Sequence, residues 1–316
     1  MAERCPTLDA LRLSRRDALL GAGALACAQG FGGAALADET ILARPIPHSG
    51  EMLPVVGLGT AVNFDVDADP GKRADLKRVV SALAAGGGTV IDTSTDYGRA
   101  EEVVGDLVAE LALRPRLFIA TKIRSGTDAR TAQQEFERSL KRLRTDRVDL
   151  LQLHNVADPH QSLAQLRDWQ AAKLCRYAGV TSTYRRDYPA MEAIIRREKP
   201  DFVQVEYSLG EREAEERIIP ASVEAGAGVI TALPFGRASL FAAVRGKALP
   251  DWAKEFGAQS FAQFFLKFLL GNKAISAVIP GTNKAEHMTD DLGAGRGRLP
   301  DEAERARMLA FWQSLN

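Results

Sequence analysis

Cysteine is scarce in this chain: three among 316 residues, with Cys5 and Cys27 inside the first 27. If that leading stretch is removed, Cys175 has no partner, which excludes an internal disulfide. Histidine is nearly as rare. His48, His154, His160 and His287 sit in four unrelated segments, too dispersed for the clustered ligands of a metal-dependent hydrolase. Neither sign of charge is in excess, 41 Lys+Arg against 41 Asp+Glu, so there is no basic surplus to neutralise nucleic-acid phosphates. Beyond residue 40 no run of 18 apolar residues occurs, which excludes a polytopic membrane protein. What is present, 46% hydrophobic and 26% charged residues, is the composition of one large globular domain or two small ones.

The first forty residues read as an address. Ser14-Arg15-Arg16-Asp17 places two arginines before a weakly apolar, Ala/Gly-rich stretch from Ala18 to Ala37, too rich in Gly and Ala and interrupted by Gln29 to be a spanning helix. This resembles a twin-arginine export signal, with Ala35-Leu36-Ala37 as the cleavage triplet. The expected arrangement is a removed signal over 1–37 and a single domain over 38–316, exported to a bacterial periplasm by the twin-arginine (Tat) translocation machinery. Lipid attachment at Cys27 would want an aliphatic residue where Ala24 stands.

From residue 40 the chain repeats a short apolar run, a polar turn and a helix-period segment, the alternation of a parallel sheet. The runs place strands at Val55–Leu58, Thr89–Asp92, Leu117–Thr121, Val148–Leu153, Tyr177–Thr181, Phe202–Glu206, Gly228–Ala232 and Ala277–Pro280. Between them the helical patterns include Arg73–Ala85, Arg99–Leu113, Ala132–Leu143, Leu163–Ala172 and Ala190–Glu198. Eight parallel strands in about 280 residues fit an α/β fold of the closed (β/α)8 TIM-barrel type. Before them, residues 46–51 read as the turn of an N-terminal β-hairpin that plugs the barrel bottom. Gly86-Gly87-Gly88 precedes a strand instead of following one, so it is a helix-ending turn and not a phosphate loop.

Such barrels do their chemistry at the C-terminal strand ends. There the sequence offers Asp92 at the end of the second strand, Tyr97 in the loop after it, Lys122 after the third and His154 after the fourth. A carboxylate, a phenol, an ammonium and an imidazole at one mouth make a proton-transfer group. Lys122 beside Tyr97 is expected to lower the phenol's pKa, with Asp92 holding the lysine in place. Each residue alone is better explained as an ion pair or a core side chain; together they read as catalytic.

Here the chain resembles the aldo/keto reductase superfamily. The similarity runs through Val56-Gly57-Leu58-Gly59-Thr60, Ile91-Asp92-Thr93-Ser94 leading to Tyr97-Gly98-Arg99-Ala100-Glu101, Ala120-Thr121-Lys122 and Asp149-Leu150-Leu151-Gln152-Leu153-His154. It continues through Gly179-Val180-Thr181-Ser182, Gln204-Val205-Glu206-Tyr207 and Ile279-Pro280-Gly281. The resemblance implies reduction of a small-molecule carbonyl by NADPH, with Tyr97 as acid, Lys122 and Asp92 tuning it, and His154 orienting the carbonyl. It implies that Gln204 binds the nicotinamide carboxamide, with the hydroxyls of Thr181 and Ser182 where the family commonly has Ser and Asn. Gly59 and Thr60 join the cofactor cleft.

Departures concentrate in that cleft. Ala232 occupies the place of the family's stacking aromatic, and the stretch beyond it reads Leu233-Pro234-Phe235-Gly236-Arg237. The usual Lys and Arg that grip the 2′-phosphate are absent. Gly281, Thr282, Lys284 and His287 stand there instead, Lys284 and Arg237 offer the positive charge, and Asp291 replaces a common adenine-contacting Asn. NADPH is the expected cofactor and NADH its competitor. Phe64 and Asn155, with Phe235, are expected to line the substrate mouth, which the short C-terminal tail leaves open. A monomer is favoured. The rival reading is a slow or non-catalytic nucleotide-binding sensor on the same barrel, motivated by Ala232 and opposed by the intact quartet.

Overall fold

The computed structural model describes residues 40–315. The expected export signal, with Arg15, Arg16 and the cut after Ala37, lies outside the described residues, as do Cys5 and Cys27. A hairpin of β1 (Ala43–Pro45) and β2 (Met52–Pro54) pairs antiparallel. Then come β3 (Leu58–Gly59), α1 (Pro70–Ala85), β4 (Val90–Asp92), α2 (Ala100–Glu110), β5 (Phe118–Arg124), α3 (Ala129–Arg142), β6 (Val148–His154) and α4 (Ala164–Ala171). The second half holds β7 (Cys175–Ser182), α5 (Tyr188–Glu198), β8 (Phe202–Glu206), α6 (Ile218–Ala225), β9 (Gly228–Ala232), α7 (Ser239–Ala243), α8 (Phe261–Gly271), β10 (Ile275–Val278), α9 (Ala285–Gly293) and α10 (Glu302–Gln313).

Strands β3 to β10 form one eight-stranded sheet of neighbours in chain order, all parallel. The seam closes where Val56 bridges Val278 in parallel and the Gly59 N–H donates to Pro280 O at 2.9 Å. The fold is therefore the expected (β/α)8 barrel with its hairpin. The first strand is shorter than expected because residues 55–57 serve the seam. A Cβ on Gly59 would meet Ile279 O at 2.8 Å, so the closure needs glycine there.

Side-chain alternation sorts the residues into two layers. Outward positions such as Ile91, Ile119, Leu151, Val180 and Val203 join the core beneath the helices. Inward positions Val90, Phe118, Leu150, Tyr177, Phe202 and Ile230 make a separate apolar floor, closed from below by Ile46 and Leu53 of the hairpin. Phe118, Tyr177 and Phe202 touch one another with ring centroids 5.4–5.9 Å apart. The Tyr177 hydroxyl donates to Glu51 at 2.7 Å and so ties the hairpin to that floor.

Helices α1 and α3 start three residues earlier than periodicity alone places them, because capping side chains decide them. Asp69 accepts from Lys72 N ahead of Pro70, and Asp128 accepts from Thr131 N. The triple glycine ends α1 as expected, with Gly87 at φ +88°. Glu101 does more than complement the α2 dipole: it is buried, accepts from Arg142 at 2.6 Å and from Thr121 at 2.5 Å, and so fastens α2 to α3 and β5.

Candidate active site

Strands β5 and β6 run past their expected ends, and this builds the mouth. Lys122 and His154 lie within strands, so inward alternation stacks Gln152 and His154 on Leu150, and Lys122 and Arg124 on Ala120. The polar layer thus rests directly on the apolar floor. Lys122, with no exposed surface, donates to Asp92 Oδ2 at 2.6 Å and to Thr93 O at 2.8 Å. Asp92 Oδ1 accepts from Gln204 Nε2 at 2.8 Å, with Gln152 Nε2 at 3.5 Å. Burial alone would lower the lysine's pKa, but Asp92 and Tyr97 hold it above the ordinary value.

Tyr97 follows a turn in which its N–H donates to Ser94 O. Gly98, at φ +57°, then swings the chain into α2, with the Arg99 N–H donating to Asp65. The Lys122 ammonium sits 4.9 Å from the Tyr97 ring centroid. The expected lowering of the phenol's pKa is corrected by the structure: burial raises it, and the opposing pull of Lys122 does not overcome that rise. The phenol keeps its proton, as a proton donor must.

His154 meets Tyr97 edge to face, centroids 5.8 Å apart. Burial, followed by the charge of Lys122, lowers its pKa to about 4 against the pull of Asp96. The imidazole is neutral at physiological pH. Its Nδ1 lies 3.1 Å from Ser94 Oγ and 3.4 Å from Asp96 Oδ2, and Asp96 in turn holds Arg124 at 2.7 Å. The four expected catalytic residues are brought together, and the structure adds Ser94, Asp96, Arg124 and Gln152. The inward period of β5 and β6 carried a signal for Arg124 and Gln152; nothing local marked Ser94 or Asp96.

The expected cofactor residues divide. Gly59 and Thr60 lie at the seam, where Thr60 donates through Oγ1 and N–H to Asp92 O. Leu233, at φ +53°, and Phe235 are half-buried, and Phe235 packs on Phe241 with centroids 4.8 Å apart. Arg237, Gly281 and Lys284 are exposed on the loops after β9 and β10, His287 is exposed in the first turn of α9, and Thr282 is buried, accepting from Lys284 N at 3.1 Å.

Other positions depart from expectation. Gln204 has both ends of its amide engaged inside the barrel, by Asp92 and by Thr181 at 3.2 Å. Ser182 is buried and donates to Asp187 at 2.7 Å. Each of the three groups thus has a partner within the protein, with hydrogen-bonding capacity to spare. Asp291 is buried on the Met288, Asp291, Leu292 stripe of α9, and burial followed by its neighbour Asp290 lifts its carboxyl well above the usual range. It faces inward on that stripe. Phe64 is wholly buried in the core under the helices and does not line the mouth, whereas Asn155, at φ +56°, is half-buried at the end of β6. Cys175 packs under α4, where burial pushes its thiol up to about 12. No group of three or more metal-ligating side chains occurs among the described residues.

The sequence model described as the aldo/keto reductase family matches residues 55–306. The aldo-keto reductase YhdN of Bacillus subtilis (strain 168) is 30% identical over 181 residues, 52% of this chain and 53% of that relative, so the match spans about half of the relative's length. An uncharacterized oxidoreductase of the same organism, YrpG, is 26% identical over 302 residues, 78% of this chain and 89% of its own. Among solved structures, an aldo-keto reductase from Klebsiella pneumoniae in complex with NADPH superimposes with TM-score 0.70 at 23% identity, covering 87% of this chain and 95% of that one.

Proposed function

The chain belongs to the aldo/keto reductase family, and from that premise we propose that it reduces an aldehyde or ketone to an alcohol with NADPH, Tyr97 acting as general acid. The observation that carries this reading is the buried Lys122–Asp92 pair, 2.6 Å apart, beneath a protonated phenol and a neutral imidazole. A nicotinamide cofactor, when bound, supplies the hydride. As the carbonyl oxygen gains charge, Tyr97 gives it a proton, and Lys122 stabilises the phenolate left behind. Asp92 keeps Lys122 charged, and the neutral His154 orients the carbonyl.

The residues present fit a dinucleotide. The turn after β9 carries left-handed backbone at Leu233, Gly236, Arg237 and Ala238, and Arg237 there and Lys284 after β10 are exposed cations suited to phosphate. NADPH in a structural relative supports the same assignment. Lys284→Ala should weaken NADPH more than NADH; equal affinity of the parent for both would remove the preference. Steady-state turnover of an aldehyde panel tests the activity. Absence of turnover with nucleotide bound would favour a sensor, the reading supported by Ala232 and by the engaged Gln204 amide.

The Arg15-Arg16 pair and the stretch to Ala37 support export by the twin-arginine route. The barrel then folds and takes its nucleotide in the cytoplasm and crosses with it, because free NADPH is not expected to be regenerated outside. Replacing both arginines by lysine should retain the protein in the cytoplasm. Exported protein that is empty, with nucleotide release in milliseconds, would defeat co-export.

A further inference from the structure

A neutral imidazole carries one proton, and which nitrogen holds it decides what the mouth offers a carbonyl. With the proton on Nε2, His154 is a donor beside the Tyr97 hydroxyl. With the proton on Nδ1, it presents a lone pair and repels the carbonyl oxygen. Two groups reach Nδ1 and pull in opposite directions: the Ser94 hydroxyl at 3.1 Å and the Asp96 carboxylate at 3.4 Å.

Proton accounting favours the hydroxyl. Ser94 has no exposed surface. Its Oγ already accepts the Asp96 N–H at 3.2 Å, so its own O–H needs an acceptor where water does not reach. Among the described residues, the acceptor given to it is His154 Nδ1. Asp96 is meanwhile drawn towards Arg124, whose Nε and Nη2 both lie 2.7 Å from its Oδ1. That cation lessens the hold of the carboxylate on an imidazole proton. The other charges facing the ring, Lys122 from β5 and the same Arg124, both disfavour a second proton on it.

We infer that Ser94 is the positioning residue that sets the tautomer of His154, donating to Nδ1 and so leaving the proton on Nε2 for the substrate carbonyl. The inference rests on the reductase reading above, but the state of the ring can be read without turnover. Asp96 and Arg124 form the counterweight: the Asp96 backbone N–H orients the serine hydroxyl, and the Arg124 guanidinium draws the Asp96 carboxylate away from the ring.

The test is nitrogen-15 NMR of the His154 ring in the full-length protein with its nucleotide bound, together with steady-state kinetics. In the parent, the protonated signal should belong to Nε2. In Ser94→Ala it should pass largely to Nδ1, with kcat/KM for carbonyl reduction falling roughly ten- to a hundredfold, less than the loss of a full oxyanion donor, while nucleotide affinity holds. In Asp96→Asn the proton should stay on Nε2. A parent ring protonated at Nδ1 overturns the inference with no variant needed, and so does an Asp96→Asn change that moves the proton while Ser94→Ala does not. An Nε2 proton in a protein without turnover would leave the assignment standing and defeat the reductase reading alone.

Discussion

The two ends of the barrel both gather charge, and they use it differently. The bottom has an open cleft of about 690 Å³ whose lining includes Arg114, Arg147, Arg176 and Asp149. Its buried carboxylates are held by strand-start donors: Asp149 by Arg114, Arg176 and the Ile119 N–H, and Asp201 through Oδ2 by Arg167 and the Ala178 N–H. Such pairs anchor strand starts. At the mouth, burial around one ion pair keeps a phenol and an imidazole uncharged but within reach of each other, with Lys122 opposing it at the phenol and assisting it at the imidazole. Room and charge alone therefore do not mark the site; control of protonation at the strand ends does.

If that division is real, Tyr97→Phe should lower carbonyl reduction by roughly 10²- to 10⁴-fold, the contribution of a positioned proton donor, with unchanged urea unfolding. A variant as active as the parent would erase the distinction. Lys122→Met should be comparably inactive and should also blur the contrast, because Asp92 is left charged and unpaired in the barrel. A cost of about 3–5 kcal/mol in urea unfolding is expected.

The mouth should also leave a signature in stability against pH. His154 takes a proton near 6.5 when unfolded and near 4 when folded. The unfolded state therefore binds more protons between those values, and the fold loses stability as pH falls through that window, on the order of 3 kcal/mol in all. His154→Gln should flatten this loss, checked by urea titrations at neutral pH and near pH 4.5. Identical slopes in parent and variant would show that the imidazole is not buried as described.

At the bottom the effects should reverse. Asp201→Ala should cost about 1.5–3 kcal/mol, the range for hydrogen bonds to a charged group, with kcat/KM unchanged. Lost activity in a folded variant would mean that the two ends are coupled. His48, 64% exposed and 3.7 Å from Asp201, should contribute least: His48→Ala should shift unfolding by under about 0.5 kcal/mol.

Much of this was legible in one dimension. The βα alternation, the hairpin turn at residues 46–51 and the succession Asp92, Tyr97, Lys122, His154 are local patterns. A strand's period states which side chains share a face, whatever packs on it. What needed the tertiary structure was every outcome in which competing neighbours arrive from distant strands. Tyr97 keeps its proton because burial outweighs Lys122. Gln204 and Ser182 are turned to the protein by Asp92 and Asp187. Phe64 and Asp291 read as site residues by position in sequence, yet both face inward. Ser94 meets His154 across 60 residues of chain. The sequence by itself determined which chemical groups stand at the mouth. Their protonation and partners were decided by desolvation and distance, which depend on the whole barrel closing around them.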